Sequence, residues 1–83
     1  MADTELDATG LKCPLPVLKA RRALNRMQTG DILRVSATDP GSPADMRAFC
    51  ESQGHVLLSS TERDGVFRYE IERRGESPTE SRD

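Results

Sequence analysis

The chain has 83 residues, 35% hydrophobic and 31% charged, and carries a net charge of −2. That length permits one domain with a limited core, and the slightly acidic balance argues against a general nucleic-acid binder, whose domain runs strongly basic. No apolar run is long enough to span a membrane. Residues 1–9, MADTELDAT, lack the basic-then-apolar order of a secretory leader, so the cytoplasm is the expected location. Thiols stay reduced there, and two Cys with one His are too few for a closed zinc site.

Residues 4–8, TELDA, read as a short first strand, and Gly10 breaks it. Cys13-Pro14-Leu15-Pro16 follows, then a helical segment to about Thr29. Val17, Ala20, Leu24 and Met27, with Ala23 beside them, recur at helical spacing and mark a buried face. Lys19, Arg22 and Arg26 recur on another face, and Gly30 is a plausible stop. Residues 31–38, DILRVSAT, alternate as a strand does. Asp39-Pro40-Gly41 is a turn. Ser42-Pro43-Ala44-Asp45 reads as a second helix start, with Ser42 as cap, Pro43 at the first helical position and Asp45 closing a capping box. Met46, Phe49 and Cys50 give that helix its apolar stripe, and Gly54 ends it.

Residues 55–63 and 66–73 read as two strands joined by Asp64-Gly65, a dipeptide that tolerates the positive φ of a tight hairpin. Phe67, Tyr69 and Ile71 alternate with Arg68, Glu70 and Glu72, one face buried and one wet. The expected order is β-α-β-α-β-β, an α+β two-layer sandwich with two helices on one face of a small mixed four-stranded sheet. The domain is expected over residues 1–74, with 75–83, GESPTESRD, as a disordered tail.

The chemistry concentrates at Cys13. A residue before proline is pushed out of the helical region, and proline suits the first helical turn. Cys13 therefore sits just outside a helix that begins at Pro14 or Pro16. The helix dipole, the N–H groups of Leu15, Val17 and Leu18, and the charges of Lys12 and Lys19 are expected to favour a thiolate there. A thiolate is the nucleophile that attacks an electrophilic sulfur. Cys50 lies on an apolar stripe and reads as a core residue. Asp39 reads as a turn former, His55 as an exposed residue at a strand start, and Arg47 as solvated.

The run Leu6-Asp7-Ala8-Thr9-Gly10-Leu11-Lys12-Cys13-Pro14-Leu15-Pro16 resembles the TusA family of sulfur carriers (the TusA/SirA/YedF group), whose hallmark is Cys-Pro-x-Pro. Asp39-Pro40, Asp45 and Phe49-Cys50 fall in register, and the likeness covers residues 5–73; it implies that Asp39 and Asp45 stand where the family places acidic residues close to the cysteine, although a turn and a helix cap explain them without a site role. It implies the same β-α-β-α-β-β fold and a persulfide on Cys13, with no metal and no organic cofactor. It implies sulfur received from a donor protein, a cysteine desulfurase or rhodanese, and passed to an acceptor such as a DsrE-like protein. Family routes lead to tRNA thiolation, molybdenum-cofactor sulfur supply or dissimilatory sulfur oxidation. Lys12, Lys19, Arg22, Arg26 and Asp39 are the candidate partner-binding residues, beside an apolar rim of Leu11, Leu15 and Leu18. The competing reading is a regulatory or redox-sensing module on the same fold, which would need Cys50 as a resolving thiol. Direct RNA binding is disfavoured by the acidic pI of about 5.4 and by only three aromatic residues, Phe49, Phe67 and Tyr69.

Overall fold

The structure is a computed structural model, and it describes residues 3–74; the tail expected over 75–83 lies outside the described residues. Six elements follow in the expected order: β1 (Asp3–Ala8), α1 (Leu15–Asn25), β2 (Ile32–Ala37), α2 (Ser42–Gln53), β3 (Val56–Arg63) and β4 (Val66–Glu72). The sheet order is β1-β2-β4-β3. β1 runs parallel to β2, which places α1 as the crossover between them, while β4 is antiparallel to both β2 and β3.

The two faces of this sheet follow the two-residue period of the strands. Leu33, Val35 and Ala37 of β2 are buried with Tyr69 and Ile71 of β4 and Ala8 of β1. Ala20 and Leu24 of α1 and Met46, Phe49 and Cys50 of α2 close the same core. The opposite face is polar, and there Arg34 bridges Asp3 at 3.0 Å and Glu70 at 3.1 Å across three strands. The hairpin turn has positive φ at both Asp64 (53°) and Gly65 (80°), as its sequence demands. Gly54, at φ 78°, is the left-handed cap of α2, and the N–H of His55 returns to the Cys50 carbonyl at 2.9 Å.

Four local expectations are corrected. Helix α1 stops at Asn25 rather than near Thr29, because the N–H groups of Arg26 and Met27 turn back to the carbonyls of Ala23 and Leu24, three residues earlier, and tighten the last turn. Met27 therefore packs on the core from outside the helix, and Gly30 lies in the following loop with its N–H on the Arg73 carbonyl at 2.8 Å. Ser42 does not cap α2: Gly41 occupies the cap position, no side chain caps the helix, and Ser42 is its buried first residue, bonded through its hydroxyl to the Tyr69 hydroxyl at 2.7 Å. Asp45 thereby loses the capping-box role. His55 is half-buried rather than exposed, its ring 5.8 Å from that of Phe49 and its Nδ1 accepting the Arg74 N–H at 3.1 Å, and burial lowers its pKa.

Candidate functional site

Two loops leave neighbouring parallel strands at the same end of the sheet, and this brings Cys13 and the start of α2 together. The loop after β1 is fixed first. Asp7 Oδ1 accepts the Thr9 N–H at 3.0 Å and its hydroxyl at 2.6 Å, which holds the Asp7 carboxyl below its ordinary range. The Gly10 N–H, at φ 80°, donates to Thr38 Oγ1 at 2.9 Å and ties this loop to the end of β2. The second loop closes on itself: Asp39 Oδ2 accepts the Gly41 N–H at 2.9 Å, and the Asp39 carbonyl accepts the Ser42 N–H at 3.0 Å. The two loops touch, since a methyl group added at Gly41 would stand 3.0 Å from Asp39 Oδ2 and 3.9 Å from Cys13 Cβ.

Neither proline begins α1. Pro14 takes the cap position, Leu15 is the first helical residue, and Pro16 is the second and is buried. The Cys13–Pro14 peptide is cis. Cys13 is exposed and is not in a disulfide. Leu15 and Leu18, in the first turn of the helix that follows Cys13, are exposed at 46% and 45%, and Leu11 packs partly against the core.

The electrostatics differ from the sequence reading. The Cys13 thiol donates a hydrogen bond to Asp45 Oδ2 from the first turn of α2. That bond is the main cause that pushes the Cys13 thiol above its ordinary range, with local desolvation and the negative charges of Asp45 and Asp39 adding to it. Two of the three expected thiolate-stabilising N–H groups are engaged elsewhere: Leu15 donates to the Lys12 carbonyl at 2.8 Å and Leu18 to the Pro14 carbonyl at 3.1 Å. Among the described residues no backbone N–H donates to the Cys13 sulfur. A carboxylate is well placed where Asp45 stands, because the α2 dipole is positive at that end. The family resemblance implies acidic residues close to the cysteine at Asp39 and Asp45, whereas the local pattern Ser42-x-x-Asp45 reads as a capping box that explains Asp45 without a site role; the structure turns the Asp45 carboxylate to the thiol.

Lys12, Lys19, Arg22 and Arg26 are all exposed, and among the described residues none of them forms an ion pair. Arg26 lies just past the helix as its C-terminal cap residue, and exposed Arg21 widens the positive surface of α1. Asp39 is half-buried beside Cys13 rather than on an open surface. Cys50 is 2% exposed, and burial pushes its thiol up to about 11. It is thus a core residue and a poor resolving thiol. Among the described residues no group of side chains could hold a metal ion, and no helix is long and apolar enough to cross a membrane.

Comparison with known proteins places the chain by family and fold. Residues 4–73 match the family model described as Sulfurtransferase TusA. The sulfur carrier protein TusA of Allochromatium vinosum is 49% identical over 71 residues, 86% of this chain and 93% of that protein. The sulfur carrier protein TusA of Pseudomonas putida strain GB-1 is 40% identical over 74 residues, 89% of this chain and 92% of that protein. Among solved structures, a SirA-like protein from Desulfitobacterium hafniense superposes with a TM-score of 0.77 at 27% identity, covering 86% of this chain and 97% of that one. With Cys13-Pro14-Leu15-Pro16 at the head of α1 and the family's length matched almost throughout, the chain belongs to the TusA family of sulfur carriers.

Proposed function

We propose that the chain carries sulfane sulfur as a persulfide on Cys13, taking it from a donor protein and handing it to an acceptor protein. The observation that supports this most is the setting of Cys13: an exposed thiol, in no disulfide, on a loop held from both sides and followed by a helix whose first turn exposes Leu15 and Leu18. A carrier sulfur has to be reached by two different partners in turn, and this one lies at the surface where one docking face serves both.

Each transfer is an exchange at sulfur with no net oxidation. The Cys13 thiolate attacks the terminal sulfur of a donor persulfide; the bond from Cys13 Sγ to that sulfur forms, the donor's S–S bond breaks, and the donor cysteine leaves as thiolate with the electron pair. The acceptor's thiolate then attacks the terminal sulfur of the Cys13 persulfide, and Cys13 leaves as thiolate with the electron pair. A cysteine desulfurase or rhodanese is a donor of suitable chemistry, and a DsrE-like protein a suitable acceptor. The exposed cations Lys12, Lys19, Arg22 and Arg26 give partners with acidic faces a route of approach.

The test is mass spectrometry after incubation with a cysteine desulfurase and cysteine. The protein is expected to gain the mass of one sulfur atom, mapped to Cys13 and removed by reductant, while Cys13→Ser gains none. Added sulfur mapped only to Cys50, or normal loading of Cys13→Ser, refutes the assignment.

A further inference from the structure

A sulfur that has to react with two partners is held in this chain by a carboxylate. Asp45 reaches from the first turn of α2 to accept the Cys13 thiol hydrogen. Asp39 adds a second negative charge from the turn that precedes α2. Among the described residues neither carboxylate forms an ion pair. Lys12, next to Cys13 in the chain, and Lys19, on α1, pair with neither Asp39 nor Asp45. On the sheet side, the Tyr69 hydroxyl is bonded to Ser42 and is itself raised by burial, so it brings no charge. Every charge that shifts the Cys13 thiol upward is therefore negative, and a thiol so placed is a weak nucleophile and a poor leaving group.

We propose that Asp45 is a positioning residue for sulfur transfer: it latches Cys13 as the protonated thiol in the free chain, and a partner opens the latch by bringing a cationic group against Asp45. The inference rests on the carrier reading above. When the cation pairs with the carboxylate, the thiol proton passes to solvent base and the Cys13 thiolate is left to attack the donor's terminal sulfur. After delivery the departing Cys13 thiolate takes a proton back from solvent and returns to Asp45. The latch makes the free carrier slow toward stray electrophiles and oxidised thiols, and it ties reactivity to docking.

Two measurements on the free, full chain test this, with Cys13 followed by peptide mapping. In the first, the iodoacetamide alkylation rate of Cys13 is taken from neutral to alkaline pH for the wild type, Asp45→Asn and Asp39→Asn, with the melting temperature as a check on folding. Asp45→Asn is expected to move the midpoint to lower pH and to speed alkylation at neutral pH, with Asp39→Asn moving it less in the same direction. In the second, exchange of Cys13 with cystamine, a cationic disulfide, is compared with dithiodipropionate, an anionic one. The preference for cystamine over the anion is expected to fall in Asp45→Asn by about thirtyfold, the product of the attraction lost on the cation and the repulsion relieved on the anion, each about five- to sixfold for one unit charge ~4 Å away in water. An unchanged or higher midpoint in Asp45→Asn, or an unchanged preference between the disulfides, overturns the latch. Neither measurement uses a sulfur donor, so the latch can fail while Cys13 still loads sulfur, and loading can fail while Asp45 still governs the thiol.

Discussion

Tyr69→Phe removes a single hydroxyl behind the site. Tyr69 and Ser42 are each 1% exposed and their oxygens stand 2.7 Å apart, one at the centre of β4 and the other opening α2. The ring stays, so packing is nearly unchanged, and the cost is that of leaving the Ser42 hydroxyl without this partner where water barely reaches. That cost is about 1–2 kcal/mol, and for a domain of this size each kcal/mol lowers the melting temperature by about 4–8 °C. Ser42→Ala strands the Tyr69 hydroxyl instead and costs a similar amount. Removing both leaves nothing stranded, so the double variant is expected to lose less than the sum of the singles, by about 1 kcal/mol. Urea unfolding of the four proteins, followed by circular dichroism at constant m-value, measures this coupling. Because Ser42 fixes the start of the helix on which Asp45 sits, Tyr69→Phe is also expected to speed Cys13 alkylation slightly. Strictly additive single variants would refute the reasoning, since the hydroxyl pair would then contribute nothing and other contacts would anchor α2.

Reversing Lys19 and Arg22 to Glu is expected to slow sulfur transfer from a donor at low salt while leaving the melting temperature nearly unchanged, because exposed charges contribute little to stability. Added salt narrows the gap to wild type, and equal rates at low salt reduce the stripe to a solvated face. Cys50→Ala is expected to keep sulfur loading and to lose on the order of 1 kcal/mol of stability from a small buried side chain; full stability contradicts its place in the core. The same variant tests the alkaline branch. The Cys50 thiol is raised from 9.0 to about 11 by burial, so the folded chain keeps a proton that the unfolded chain gives up. Its contribution is complete below pH 9.0 and lost as pH rises through about 11. In a Cys13→Ser background, which removes the other raised thiol, Cys50→Ala is expected to flatten the fall in unfolding free energy over that window, and an equally steep fall assigns the loss to Tyr69, which shifts in the same direction.

The elements and the position of the reactive sulfur were legible in the sequence because local chemistry sets them. Alternation in residues 31–38 and 66–73, the positive-φ demand at Asp64-Gly65, the left-handed cap at Gly54 and the constraint of Pro14 and Pro16 on Cys13 act within a few residues, and they reappear as β2, β4, the hairpin, the end of α2 and the start of α1. The state of that sulfur was decided elsewhere. Thirty-two positions separate Cys13 from Asp45 in the chain, and they meet because β1 and β2 pair in parallel and end side by side. Read alone, Ser42-Pro43-Ala44-Asp45 satisfies a capping box. In the folded chain, Tyr69 draws the Ser42 hydroxyl into the core, Gly41 takes the cap position, and Asp45 turns to the thiol. The local chain specified a cysteine at a helix start; only the packing of a second helix start against it determined that a carboxylate, rather than backbone N–H groups, faces the sulfur.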